Sequence, residues 1–204
     1  MIQLYLVRHG ETDWNAKQRF QGQVDIPLNE NGQHQAQKIA HRLAKEDIDA
    51  IYASDLSRAW ETAQAIAEHH TCPLIAEPGL REASFGQWEG STYAEIKASD
   101  PEAVQVWHED MAKFAPPDGE TLPQLAQRVI SAYNAIIQKH RCNETILLVA
   151  HGGSLQILIA QLLNLDLAQF WQFHLKPCSL SAISVYEEGP ILNLLNDTCH
   201  LKTI

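Results

Sequence analysis

The chain has 204 residues, 45% of them hydrophobic, enough to bury a sizeable core in a single globular domain spanning 1–204. Its 25 acidic and 15 basic residues give a formal net charge of −10, so no overall field draws it to nucleic acid or to an anionic membrane, and any anion site has to be local. No apolar stretch has the length needed to span a bilayer, and Met1-Ile2-Gln3 enters a strand without the regions of a signal peptide, so a cytoplasmic location is expected.

The first predicted strand is the apolar run Ile2-Gln3-Leu4-Tyr5-Leu6-Val7, which passes directly to Arg8-His9-Gly10-Glu11-Thr12. Asn29-Glu30-Asn31-Gly32 then opens a helix in which Ala36, Ile39, Ala40 and Leu43 recur on one face. A strand at 50–54 follows, and together these form a β-α-β unit with parallel strands. A second helix starts near Asp55-Leu56-Ser57, carries Ala59, Ala63, Ile66 and Ala67 inward, and stops before Thr71-Cys72-Pro73. Leu74-Ile75-Ala76 is a short third strand.

From 83 to 127 the pattern loosens around Gly86, Gly90, Pro101, Pro116, Pro117 and Gly119, which reads as a helical insertion over the sheet's ligand edge. A long helix at about 121–140 places Leu125, Val129, Ala132, Tyr133, Ile136 and Ile137 inward, and a strand at 145–150 leads into a helix opening at Gly152-Gly153-Ser154. The segments 182–186 and 191–195 read as two edge strands. Cys72, Cys142, Cys178 and Cys199 lack C-x-x-C spacing and are read as free thiols.

Three predicted strands end in the same kind of chemistry: the first in Arg8 and His9, the second ahead of Arg58, the fourth in His151. If they are parallel neighbours, these side chains meet beyond their carboxyl ends, where open α/β sheets place ligands. The natural ligand for such a cluster is a phosphate. Metal is the competing use for 10 histidines, but there is no H-E-x-x-H, and His69-His70-x-Cys72 has no second ligand group at a recognisable interval. Walker-type and dinucleotide-type glycine loops are missing too, so no cofactor is implied.

At these positions the chain resembles the histidine phosphatase superfamily, which includes the cofactor-dependent phosphoglycerate mutases. The matching motifs are Arg8-His9-Gly10-Glu11-Thr12-x-Trp14-Asn15, Arg19-Phe20-Gln21-Gly22, Ser54-Asp55-Leu56-x-Arg58-Ala59-x-x-Thr62-Ala63, Leu80-Arg81-Glu82 with Gly86-x-Trp88-Glu89-Gly90, and Val149-Ala150-His151-Gly152. The resemblance implies a phosphoglycerate mutase-like fold, an α/β three-layer α/β/α sandwich with a mostly parallel central sheet. It also implies that His9 is a nucleophile taking a phosphoryl group onto its ring. Arg8 and Arg58 would then neutralise the equatorial oxygens through directional hydrogen bonds, with His151 as a further donor. Positive neighbours would keep His9 unprotonated. Glu82 would be the proton donor, for which it has to retain a proton near neutrality, and would later activate water; the plainer alternative is a surface ion pair to Arg81. Asn15, Gln21 and Gly22 match a substrate-contacting loop, Gly152 would bring a backbone amide to the phosphate at a helix start, and Glu11 and Thr12 would position the loop.

For the substrate, the expected partner is a small-molecule phosphomonoester, with neither nucleic acid nor membrane; a homodimer stays open. A mutase has to hold a second phosphate, whereas 83–127 carries only Lys97 and Lys113 against eight carboxylates, a formal −6. Ala83-Ser84-Phe85-Gly86 also replaces the mutases' Arg-His-Tyr-Gly. Both departures favour hydrolysis. Gly119-Glu120-Thr121, the segment 170–174 and the tail 195–201 are most similar to α-ribazole phosphatases of cobalamin assembly, with phosphoserine and broad-specificity phosphatases as alternatives. A phosphate-binding module without turnover would be expected to have lost His9 or Glu82, and both are present. Phe85, Trp88, Tyr93, Trp107 and Phe114 are either core of the insertion or, for one or two of them, a surface for the leaving group.

Overall fold

The computed structural model describes residues 1–109 and 113–202. Six strands form one sheet in the order β3-β2-β4-β1-β5-β6, with β1 Ile2–Arg8, β2 Ala50–Ala53, β3 Leu74–Ala76, β4 Thr145–Ala150, β5 Leu180–Val185 and β6 Pro190–Asp197. The pairings β1–β4, β4–β2 and β2–β3 are parallel, and β1–β5 and β5–β6 are antiparallel. The helices are α1 Asp13–Ala16, α2 Glu30–Leu43, α3 Ser57–Ala67, α4 Tyr93–Ser99, α5 Pro101–Glu109, α6 Leu122–Ile137 and α7 Gly152–Leu162.

The strand sequences dictate the layers. Central strands buried on both faces are apolar throughout, and successive side chains serve opposite faces. On β4, Ile146, Leu148 and Ala150 join the core under α6 and α7, while Leu147 and Val149 join the core under α2 and α3. β1 and β2 divide likewise, with Leu4, Leu6 and Tyr52 on the first face and Val7, Ile51 and Ala53 on the second. The expected α/β/α architecture is therefore observed.

Three expectations need correction. β5 is not an edge strand: it pairs with β1 on one side and β6 on the other, so of this pair only β6 lies at the edge. Alternation along a strand reports its faces and says nothing about its neighbours. The long helix runs from Leu122 to Ile137, started by a capping box in which Thr121 accepts from Gln124 N and the Gln124 side chain accepts from Thr121 N. Because Leu122, Leu125 and Ala126 belong to the main core, the covering segment ends before 127. The cover has its own cluster, with Trp88, Ile96 and Val104 buried against Phe20, Phe85, Trp107 and Phe114. Residues 110–112, within the expected cover, lie outside the described residues. Among the described residues, no helix is long and apolar enough to cross a membrane.

Candidate active site

The strand order sets β2, β4 and β1 side by side and parallel, so their carboxyl ends bring Ser54, His151 and Arg8-His9 to one place. Backbone bonds hold this edge together: His9 N donates to Ala150 O at 2.9 Å, and Ser54 N to Val149 O at 3.0 Å. Arg58 arrives on the first turn of α3, a helix whose N-cap, Leu56, has no capping side chain. Asp25 supplies the cap from a distant loop, its Oδ1 accepting from both Ser57 N and Ser57 Oγ at 2.7 Å. The result is a cleft of about 180 Å³ lined by Arg8, His9, Asn15, Gln21, Gly22, Arg58 and Glu82, together with Arg19, Phe20 and Phe85.

His9 is buried and oriented. Its Nδ1 lies 2.6 Å from Gly10 O. A carbonyl only accepts, so Nδ1 carries the proton and Nε2 keeps its lone pair. Burial, then the charges of Arg58 and Arg8, hold this imidazole well below its ordinary 6.5. Desolvation thus outweighs the positive neighbours that the sequence suggested. The following turn is fixed by Gly10 N donating to Thr62 Oγ1 at 3.1 Å, and Thr62 Oγ1 donates in turn to Arg58 O at 2.7 Å.

The two arginines differ in what they have left to give. Arg8 donates from NH1 to Leu175 O at 2.6 Å, while its buried Nε has no partner among the described residues, a donor suited to an oxyanion. Arg58, fully buried, donates to His151 Nδ1, Val24 O and Gly22 O at 3.2, 2.9 and 2.7 Å. Three of its five N–H groups are used, leaving one on each terminal nitrogen. Burial pulls its guanidinium down to about 10, so it stays charged at neutrality.

His151 departs from the expected role. Arg58 Nε can only donate, so His151 Nδ1 is the acceptor, and its one N–H, on Nε2, faces Ser54 Oγ at 2.8 Å. Burial first, then Arg58, keeps the ring neutral. A neutral imidazole has a single donor, and here Ser54 takes it. His151 orients Arg58 Nε and packs its ring 5.1 Å from that of His9.

Glu82 does not pair with Arg81, whose guanidinium binds Asp55 instead, with Nε 2.7 Å from Oδ1. The half-buried Glu82 carboxyl sits at the start of α7, accepting from Gly153 N at 3.0 Å and Ser154 N at 3.1 Å, as well as from Ala83 N. The helix N-terminus therefore serves Glu82 rather than standing open to an anion. A Cβ on Gly153 would come within 2.6 Å of Glu82 Oε1, so this approach requires glycine, whereas one on Gly152 would meet Arg8 Cζ at an ordinary 3.5 Å.

In the first loop, Thr12 holds two amide oxygens inward: its Oγ1 donates to Gln21 Oε1 at 2.7 Å and its N to Asn15 Oδ1 at 3.1 Å. That leaves both side-chain NH₂ groups as donors for a ligand. Glu11 N donates to Gln35 Oε1, and Glu11 Oε1 accepts from Asn29 Nδ2, tying the loop to α2. Gly22 has φ +53°, and a Cβ there would lie 1.8 Å from the Glu89 carboxylate. Glu89 accepts from Gln23 N and Phe85 N, joining this loop to the cover. Sequence reasoning gave no role to Glu89, Asp25 or Arg19. Arg19 ties the cleft wall to α4 through Glu95 and to Gly90 O. Arg19 and Glu89 stand inside matching motifs, but the roles of all three could not be read from local sequence, because their partners lie up to 76 positions away.

Beside the cleft, and sharing Phe85 with it, is a second chamber of about 100 Å³ lined mainly by Ala83, Trp107, Phe114, Pro116, Leu122, Leu125 and Phe170, with Glu120, Thr121 and Gly153 as polar exceptions. Of the candidate aromatics, Phe85, Trp107 and Phe114 face these spaces. Trp88 is core to the cover, stacked on Phe114 at 5.3 Å, and Tyr93 is exposed.

The chain is 35% identical over 201 residues to phosphoserine phosphatase 1 of Hydrogenobacter thermophilus, covering 98% of this chain and 95% of that protein. It is also 35% identical over 209 residues to a protein of Serratia proteamaculans named as a probable phosphoglycerate mutase, with 100% and 96% covered. The crystal structure of the α-ribazole phosphatase from Shigella flexneri superposes with a TM-score of 0.88 at 31% identity, over 96% of each chain. The family model described as "Histidine phosphatase superfamily (branch 1)" matches residues 4–198, and the chain belongs to that superfamily.

Proposed function

We propose that this protein hydrolyses a phosphomonoester through a phosphohistidine formed on His9. The observation that carries the reading is the state of His9: buried, neutral, its Nδ1 proton committed to Gly10 O, and its Nε2 free in a cleft with unspent guanidinium donors. Nε2 attacks phosphorus, the bond to the ester oxygen breaks, and Glu82 gives that oxygen its proton. Water then attacks phosphorus as Glu82 takes one of its protons, and the phosphorus–Nε2 bond breaks, releasing phosphate and restoring His9. Arg8 Nε, the remaining Arg58 donors and the amides of Asn15 and Gln21 stabilise the oxygens during transfer, with the backbone at Gly22 close by. His151 acts by holding Arg58 in place.

The leaving group we favour carries an aromatic ring, with α-ribazole 5′-phosphate as the specific candidate. Its support is the apolar, aromatic-walled chamber next to the ester oxygen's proton donor. Phosphoserine, suggested by the name of one relative, would bring an ammonium and a carboxylate into a wall whose one carboxylate, Glu120, is already paired with Arg128. A mutase is disfavoured by the formal −6 of 83–127.

Turnover of p-nitrophenyl phosphate without added divalent metal tests the reaction, and His9→Ala should abolish both turnover and acid-labile phosphoenzyme while the fold persists. Undiminished turnover in that variant would refute the nucleophile assignment. Phosphate release from α-ribazole phosphate, phosphoserine and sugar phosphates, compared by kcat/KM, tests the substrate. A preference for phosphoserine would overturn the aromatic reading alone. Isomerisation of 3-phosphoglycerate without phosphate release would overturn hydrolysis.

A further inference from the structure

Arg128 lies on α6, outside every motif that led to the site. Its guanidinium is saturated. Nε donates to Glu120 Oε1 at 2.9 Å; one terminal nitrogen donates to Gly79 O at 3.0 Å and Arg81 O at 2.9 Å; the other donates to Glu82 O at 3.1 Å and Glu120 Oε2 at 2.8 Å. Those five bonds use all five N–H donors that an arginine has. Three of the acceptors are carbonyls of the segment that ends in Glu82. The fourth group, Glu120, is itself tied back, since Glu120 Oε2 accepts from Ser84 N at 2.9 Å and Glu120 N donates to Ser84 O at 2.9 Å.

We propose that Arg128 is a positioning residue for the proton donor: with Glu120 it clamps the backbone on both sides of Glu82, so that the carboxyl reaches the cleft at one height and angle. The inference rests on the acid role of Glu82 proposed above. Its physical basis is that the α7 amides fix only the carboxyl end of Glu82, whereas its main chain leaves β3 through a short turn at 78–80 and enters the cover without sheet ladder bonds among the described residues, its carbonyl held by Arg128 and by a single amide bond from Gln23 Nε2 at 3.2 Å. A planar fork with five donors can fix three carbonyls and a carboxylate together. An ammonium has three donors on one atom and cannot span them.

A role through Glu82 has a signature that general damage to the fold lacks: the loss depends on how much the leaving group needs a proton. Arg128→Lys should lower kcat/KM, which reports phosphohistidine formation and not its hydrolysis, about 30-fold on glycerol 2-phosphate and no more than about 3-fold on p-nitrophenyl phosphate, the size expected when a general acid is misplaced. In the Glu82→Gln background, Arg128→Lys should have no further effect on glycerol 2-phosphate, because the group it positions no longer donates. Glu120→Gln, which keeps the shape and weakens the clamp, should show the same pattern at smaller size, and it decides the matter if Arg128→Lys does not fold. Equal losses on both esters, or losses that multiply in the double variant, would overturn the positioning role while leaving the acid role intact. If Glu82→Gln itself loses both esters equally, the acid role falls and the positioning role falls with it.

Discussion

Gly153→Ala tests the site at one contact. The three atoms nearest the added methyl would all belong to the Glu82 carboxyl, with Oε1 at 2.6 Å, Cδ at 3.3 Å and Oε2 at 3.6 Å. Reaching an ordinary carbon–oxygen contact near 3.4 Å requires the carboxyl to move by roughly 0.8 Å, which stretches its bonds to Gly153 N and Ser154 N from 3.0 and 3.1 Å toward rupture. Misplacing a catalytic group by about 1 Å costs on the order of 10²-fold in rate, or about 2.7 kcal/mol. The expected result is a fall in kcat/KM, which reports phosphohistidine formation alone, of about 100-fold on glycerol 2-phosphate and less than about 5-fold on p-nitrophenyl phosphate, whose leaving group needs little protonation. Stability should hardly change, because alanine is better than glycine in a helix by up to about 1 kcal/mol, offsetting the loosened amide bonds. Urea unfolding of the same preparation supplies that control. Gly152→Ala, whose methyl meets Arg8 Cζ at 3.5 Å, should lose less. Wild-type turnover of glycerol 2-phosphate by Gly153→Ala would refute the claim that this carboxyl, at this place, donates the proton.

Burial holds both His9 and His151 well below 6.5, so under pH 6.5 the unfolded chain binds more protons than the folded one. Stability is therefore full above about 6.5 and is lost as pH falls toward the depressed values, by at most about 1.4 kcal/mol per pH unit per histidine; urea midpoints at pH 7.5, 6.5 and 5.5 check this, and a flat profile would contradict it. The same depression keeps the nucleophile unprotonated, so the acid limb of kcat/KM that belongs to His9 should fall below pH 6.5, not above it. Gly22→Ala combines a left-handed backbone with a clash against Glu89 and should destabilise by about 2 kcal/mol or more in urea unfolding. Asp25→Ala removes the acceptor of Ser57 N and Oγ, costing about 1 kcal/mol of the kind measured for lost helix caps, with a weaker affinity for inorganic phosphate as Arg58 loosens.

Much of the protein was readable in one dimension because the relevant physics is local. Apolar runs of β type, and stripes such as Ala36, Ile39, Ala40 and Leu43, mark elements whose burial follows from period alone. Arg8, His9, Arg58 and His151 sit at or just beyond strand ends, and a parallel sheet brings strand ends together whatever the loops do. Where β5 lies in the sheet, which donor His151 has left, and what holds Glu82 are pairings between distant segments, and a sequence carries no local trace of them. The protonated nitrogen of His9 depends on a carbonyl one residue away, yet its neutrality depends on burial where strands paired across 142 positions meet. Residue types and their order thus determined the kind of chemistry available, while hydrogen-bond partners, tautomers and desolvation were decided only when the folded chain allotted each donor to an acceptor.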